Sequence, residues 1–172
     1  MGRRLSTERR FVGATHGTPP EGYNIDHNRI LLGEGREAFM RASEALSRWR
    51  HFELGWATVV PHGSPMQTGT VVAVQAHTFG FWSLNACRIV YTINDEGPVK
   101  RFGYAYGTLH DHAERGEERF MIEMLEDNSV WYDIYAFSQP QLWPVKIGFP
   151  LARRLQKRFG RESLAVMKRL AS

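Results

Sequence analysis

Two histidines and two glutamates lie close together in His110-Asp-His112 and Glu117-Glu118. His-x-His followed by x4-Glu can bring two imidazoles and a carboxylate onto one metal ion. Here the pair falls in a hairpin loop at a strand end without flanking glycines, so no metal is expected. The second chemistry is acid–base. Alternation along a strand sets Glu118 on the face of Phe120, Ile122 and Met124, and Glu117 on the face of Arg119 and Met121. A partly buried carboxylate at Glu118, near His112, could give and take a proton. The same carboxylate could instead close an ion pair with Arg88 or Arg101 on a neighbouring strand. Arg88, between Cys87 and Ile89, is either half of such a pair or the holder of an anionic ligand group. No serine sits in a glycine-flanked elbow, and Gly33-Glu-Gly35 has neither the length nor the lysine of a phosphate loop. No cofactor is expected.

Aromatic residues surround these groups. Phe102, Tyr104 and Tyr106 alternate with Gly103, Ala105 and Gly107, which describes a strand with one bulky and one small face. With the rings inward, Tyr91, Tyr104, Tyr106, Phe120, Trp131 and Tyr135 line a cavity, and their hydroxyls can orient a ligand. With the small side inward, the glycines mark a close helix approach.

The elements that must position these residues follow from periodicity and breakers. Asn24–Leu32 is expected as a strand, ended by Gly33-Glu-Gly35. Phe39, Ala42, Leu46 and Trp49 recur at helical spacing and predict a helix over 36–50. Strands are expected over 52–61, over 68–78 with a continuation to 85 past a break at Gly80, and over 86–94, 100–109, 117–125 and 130–138. Pro140 stops the last one. After a linker containing Trp143-Pro144 and Gly148, a helix is expected over 151–170, with Pro150 at its start. Gly160 within it predicts a bend or a close packing contact. The fold class is α+β: a strand, a helix and a meander of about six antiparallel strands curved around a long C-terminal helix. Residues 1–22 read as an arm and 23–172 as a single domain.

The bulk composition is that of an ordinary globular chain, with 42% hydrophobic and 23% charged residues over 172 positions. The lone Cys87 excludes an internal disulfide. No run approaches the ~18 apolar residues of a membrane span. Arg9-Arg10 lacks the apolar segment a twin-arginine signal needs, so a cytoplasmic location is expected. The charge is uneven. Residues 1–10 carry net +3, residues 145–172 net +7 and the middle −6. The basic residues of the last helix, Arg153, Arg154, Lys157, Arg158 and Arg161, read as its solvated face. Without a recognition-helix pattern, nucleic acid is not the expected partner.

Several short motifs run along nearly the whole chain. They include Val12-Gly-Ala-Thr15, Leu32-Gly-Glu-Gly35, Gly55-Trp56, Asn85-Ala-Cys-Arg-Ile-Val-Tyr91, Arg101-Phe102-Gly103, Tyr106-Gly107-Thr108-Leu109 and Gly116-Glu117-Glu118, with Gln156 and Phe159. In these residues the chain resembles an uncharacterised bacterial and plant family known only as a domain of unknown function, within the START-like, helix-grip superfamily. The resemblance implies a START-like fold and no particular activity. His110-Asp111 departs from an expected Pro-Gly turn, which weakens any family-wide role for His110.

Three functions remain open. The first is binding of a small, largely apolar molecule between sheet and C-terminal helix, with Arg88, Tyr91, Arg101, Tyr104, Tyr106, Phe120, Trp131 and Tyr135 as contacts. The second is an enzyme in the same cavity, with Glu118 or His112 as acid or base and Arg88 holding an anion. The third is an interaction protein using the basic helix. Oligomeric state is not legible.

Overall fold

The computed structural model describes Leu5 and residues 12–109, 114–140 and 149–172. Strand β1 (Asn24–Glu34) alternates half-buried and exposed positions along most of its length. It passes into α1 (Gly35–Ser47), whose buried positions are Ala38, Ala42, Ala45 and Leu46. Small residues there let the helix sit close to the sheet. Trp49 adopts a left-handed conformation and starts a short 3-10 turn, Arg50–Phe52. The strand expected from residue 52 therefore begins only at Ala57.

Six strands follow: β2 (Ala57–Val60), β3 (Val71–Thr78), β4 (Phe81–Glu96), β5 (Lys100–Thr108), β6 (Glu114–Met124) and β7 (Ser129–Pro140). Helix α2 (Phe149–Ala171) closes the chain. All seven strands form one antiparallel sheet in the order β1-β7-β6-β5-β4-β3-β2. Gly80 is not a break inside one strand. Phe79 and Gly80, with φ of 54° and 79°, are the two turn residues of a β3–β4 hairpin, as a primed turn requires. Residues 81–96 are then one long strand rather than two pieces.

The sheet curves around α2, in the helix-grip arrangement. Its concave face carries Ile89, Tyr104, Phe120, Ile122, Tyr132 and Ile134, all less than 2% exposed. These pack with Leu46, Phe52, Met167 and Ala171 in one core. The C-terminal half of α2 is pinned at several points. Lys168 donates to the carbonyls of Leu31 and Leu32 at 2.7 and 3.0 Å, and the Arg41 guanidinium donates to the carbonyl of Ala171. Tyr132 and Ser163 share a hydroxyl hydrogen bond of 3.1 Å. Among the described residues, no helix is long and apolar enough to cross a membrane.

Candidate functional site

Opposed residues in an antiparallel sheet point to the same side, so the register sorts the expected site residues by face. Tyr104 faces Phe120 and Tyr106 faces Glu118 across β5 and β6. These four lie on the concave side. Arg88 pairs with Gly107, Arg101 with Glu123, Trp131 with Glu123 and Tyr135 with Arg119, all on the convex side. Tyr91 pairs with Ala105 after a bulge between Ile89 and Tyr91, which turns it convex as well. His110 and His112 lie outside the described residues. The structure therefore brings together Glu118, Tyr104, Tyr106 and Phe120, and sets the other five across the sheet from them.

Tyr104 and Phe120 pack inside the solid part of the core. Their rings stack at 5.2 Å, and His51 lies between them and Tyr132. His51 is 0% exposed, and its Nε2 lies 2.9 Å from the Tyr104 hydroxyl. Burial alone lowers its pKa to about 3, so it is neutral. Its Nδ1 has no hydrogen-bond partner among the described residues.

Beyond this core, towards the N-terminal half of α2, the grip opens into a cavity of about 250 Å³. Its apolar lining includes Phe52, Trp56, Ala57, Val74, Ala76, Leu155 and Phe159, and among these stand the polar Asp26, Asn28, Asn85, Tyr106, Glu118, Ser138 and Gln156. The Tyr106 hydroxyl donates to Glu118 Oε2 at 2.8 Å. Burial first, and the Glu118 charge next, hold the Tyr106 phenol well above its ordinary pKa. It is thus a hydrogen-bond donor rather than a base. On the helix side, Arg153 spans the Asp26 carboxylate and donates to Gln156 Oε1 at 2.7 Å. Gln156 in turn donates to Ser138 Oγ at 3.3 Å. A Cβ on Gly160 would stand 3.0 Å from Asn28 Nδ2, so the glycine allows α2 its close approach to β1. Close packing, rather than a bend, accounts for this glycine.

Asn28, Asp26, Trp56, Asn85, Ser138 and Gln156 were missed as site residues by sequence reasoning. A signal existed on two elements. Asn24, Asp26 and Asn28 repeat at period two on the inward face of β1, and Gln156 and Gly160 interrupt the apolar stripe of α2. Polar or absent side chains on an inward stripe mark a place where the core does not close.

The convex face is a network of paired charges. Glu117 is 3% exposed and accepts from the Gly13 and Thr15 amides at 2.6 and 3.0 Å and from the Thr15 hydroxyl at 2.5 Å. The Thr15 hydroxyl also meets the Tyr91 hydroxyl at 2.5 Å, and the His16 ring stacks on Tyr91 at 3.9 Å. Burial raises the Tyr91 phenol to about 12. Arg119 bridges the Thr15 carbonyl and Asp133. Asp133 also meets His27 at 2.6 Å, and Arg101 and Arg29 both bind Glu123. Arg29 lies over Trp131 and Arg119 over Tyr135. Among the described residues, no three His, Cys, Asp or Glu side chains gather where they could share a metal.

Three relatives carry the name UPF0548 protein. The chain is 38% identical over 147 residues to one from Dictyostelium discoideum, covering 80% of this chain and 68% of that one. It is 37% identical over 153 residues to one from Arabidopsis thaliana, covering 86% and 74%. It is 32% identical over 167 residues to one from Deinococcus radiodurans, covering 90% and 82%. Among solved structures, a hypothetical protein from Helicobacter pylori matches with TM-score 0.64 at 12% identity, covering 100% of this chain and 99% of that one. The Zhui aromatase/cyclase from Streptomyces matches with TM-score 0.59 at 10% identity, covering 87% and 93%. These structural likenesses concern the fold. The model of the domain of unknown function DUF1990 matches residues 8–166, and the chain belongs to that family.

Proposed function

We propose that this protein binds a small molecule with an apolar body and a hydrogen-bonding end in the cavity between the curved sheet and α2. The observation that carries this reading is the mixed lining of the cavity, in which apolar side chains stand among hydrogen-bonding ones. Phe52, Trp56, Leu155 and Phe159 would hold the apolar part, while Glu118, Tyr106, Asn28 and Ser138 would meet the hydrogen-bonding end. In this reading the domain is START-like, residues 23–172 form it, residues 1–22 are an N-terminal arm of which Gly13 and Thr15 meet the convex face, and its location is cytoplasmic. Tyr104 and Phe120 support the cavity floor from within the core. Arg88, Tyr91, Arg101, Trp131 and Tyr135 hold the outer face and do not touch the ligand.

A second reading is an enzyme in the same cavity, favoured by the 2.8 Å contact between Tyr106 and Glu118. Glu118 would carry the proton, and Tyr106 would set the orientation. Arg88 drops out as anion holder because its strand register places it on the opposite face.

Native mass spectrometry of the protein purified from its own host tests the binding reading. A small molecule retained by the wild-type chain and absent from an Ala136→Phe variant, which fills the cavity, is the expected result. No retained molecule, or one equally retained by the filled variant, overturns it.

A further inference from the structure

The tip of the β3–β4 hairpin is apolar on both faces and packed on neither. Phe79, Phe81, Trp82 and Leu84 are 70, 78, 67 and 64% exposed. Phe81 shares a side with Thr78 and Ser83, which border the cavity, while Trp82 points the other way with His77 stacked on it at 4.6 Å. The bulky Phe79 occupies a left-handed turn position that glycine or asparagine fills at lower cost. Folding does not explain this cluster, because none of these side chains is buried by the fold. A contiguous exposed apolar patch marks an interaction site.

The charges around it narrow the partner. From Leu54 to Cys87 the chain has no Asp, Glu, Lys or Arg. Across the cavity mouth, the first half of α2 supplies cations without an acidic residue before Glu162. Arg154, Lys157 and Arg161 are exposed along one stripe of the helix, with the exposed Leu151 one turn before Arg154. Arg158 lies 4.8 Å over the ring of Trp56, which lines a recess together with Trp82. Neutral aromatics beside a cationic stripe match the interface of an anionic bilayer, where tryptophan and phenylalanine enter the headgroup boundary and arginine and lysine meet phosphates.

We infer that the Phe79–Leu84 hairpin tip and the Arg154–Lys157–Arg161 stripe form a docking surface for an anionic lipid bilayer, beside the cavity mouth. The inference stands without the ligand reading, since it uses neither Glu118 nor Tyr106. Co-sedimentation with phosphatidylcholine vesicles, with and without phosphatidylserine, tests it. Binding is expected only with phosphatidylserine present and is expected to fall with added salt. It should drop about tenfold or more in Phe81→Asp/Trp82→Asp, and again in Arg154→Glu/Lys157→Glu. Circular dichroism should match the wild type in both variants, because all four side chains are on the surface. No binding to phosphatidylserine vesicles, or binding unchanged in the hairpin variant, overturns the proposal. So does a dimer in light scattering that the hairpin variant splits, which would assign the patch to a second copy of the chain.

Discussion

Glu117 and Glu118 are consecutive residues of β6 with opposite situations. Glu117 is sealed on the convex face, and three donors from Gly13 and Thr15 converge on it. Glu118 faces the concave side, half-buried at the cavity wall, with the Tyr106 hydroxyl against it. The concave side is not without pairs, since Arg153 closes on the Asp26 carboxylate there. Convex carboxylates close on arginines, histidine and backbone amides of the same molecule. On the concave face, polar groups of β1, β5, β6, β7 and α2 line open space. Glu117 is held by the backbone of the segment before β1, whereas Glu118 is held by a phenol that itself lines the cavity. Residue type alone does not separate the two; the side of the strand does.

The largest expected effect tests the convex side. Asp133→Ala leaves Arg119 and His27 without their buried partner and should cost about 3–5 kcal/mol in urea denaturation. Ligand retention by the molecules that remain folded should be unaffected. Loss of retention at full stability would erase the distinction between the faces.

The next concerns the core between them. His51 has its folded pKa lowered from 6.5 to about 3 by burial. Below pH 6.5 the unfolded chain therefore binds a proton that the folded chain refuses. Stability is present above that pH and falls as pH drops from 6.5 towards 3, by about 1.4 kcal/mol per unit for this one group. In His51→Gln this slope should shrink by one proton in denaturation curves measured across that window. An unchanged slope would mean that His51 is not the group responsible.

A smaller effect is expected at the cavity. Glu118→Gln keeps the shape of the side chain and should shift stability by less than about 1 kcal/mol. It should nevertheless weaken retention of the ligand seen by native mass spectrometry. If Glu117→Gln has the same effect on retention, the two faces are functionally coupled. The smallest effect belongs to the hairpin tip, where Leu84→Ser should change the urea midpoint by no more than about 0.5 kcal/mol in stability.

Much of the architecture was legible in the chain. The alternation of Phe102, Tyr104 and Tyr106 with Gly103, Ala105 and Gly107 defined β5, and the rings do face the core. The helices and the meander followed from their periods and breakers. The Phe79-Gly80 turn was not recognised, because phenylalanine is a poor sign of a positive φ. Among the aromatics, Trp131 and Tyr135 were not assigned a side, since β7 carries large rings on both, Tyr132 with Val130 and Ile134 on one and Trp131, Tyr135 and Phe137 on the other; Asp133, in phase with the second set, was the one local sign that it faces away from the apolar core. Pairing with β6 decides which set is inside.

What the sequence determined by itself was the order of elements, the bulky face of β5, the grouping of Glu118 with Phe120, Ile122 and Met124 on one side of β6, and the family. These are local or pattern properties, set by side-chain period and turn chemistry. Tertiary structure decided where the core stops and the cavity starts. It also decided the side taken by Tyr91, since one bulged residue after Ile89 reverses the phase of the strand. Both outcomes depend on register between strands distant in sequence, and a shift of one residue exchanges the faces.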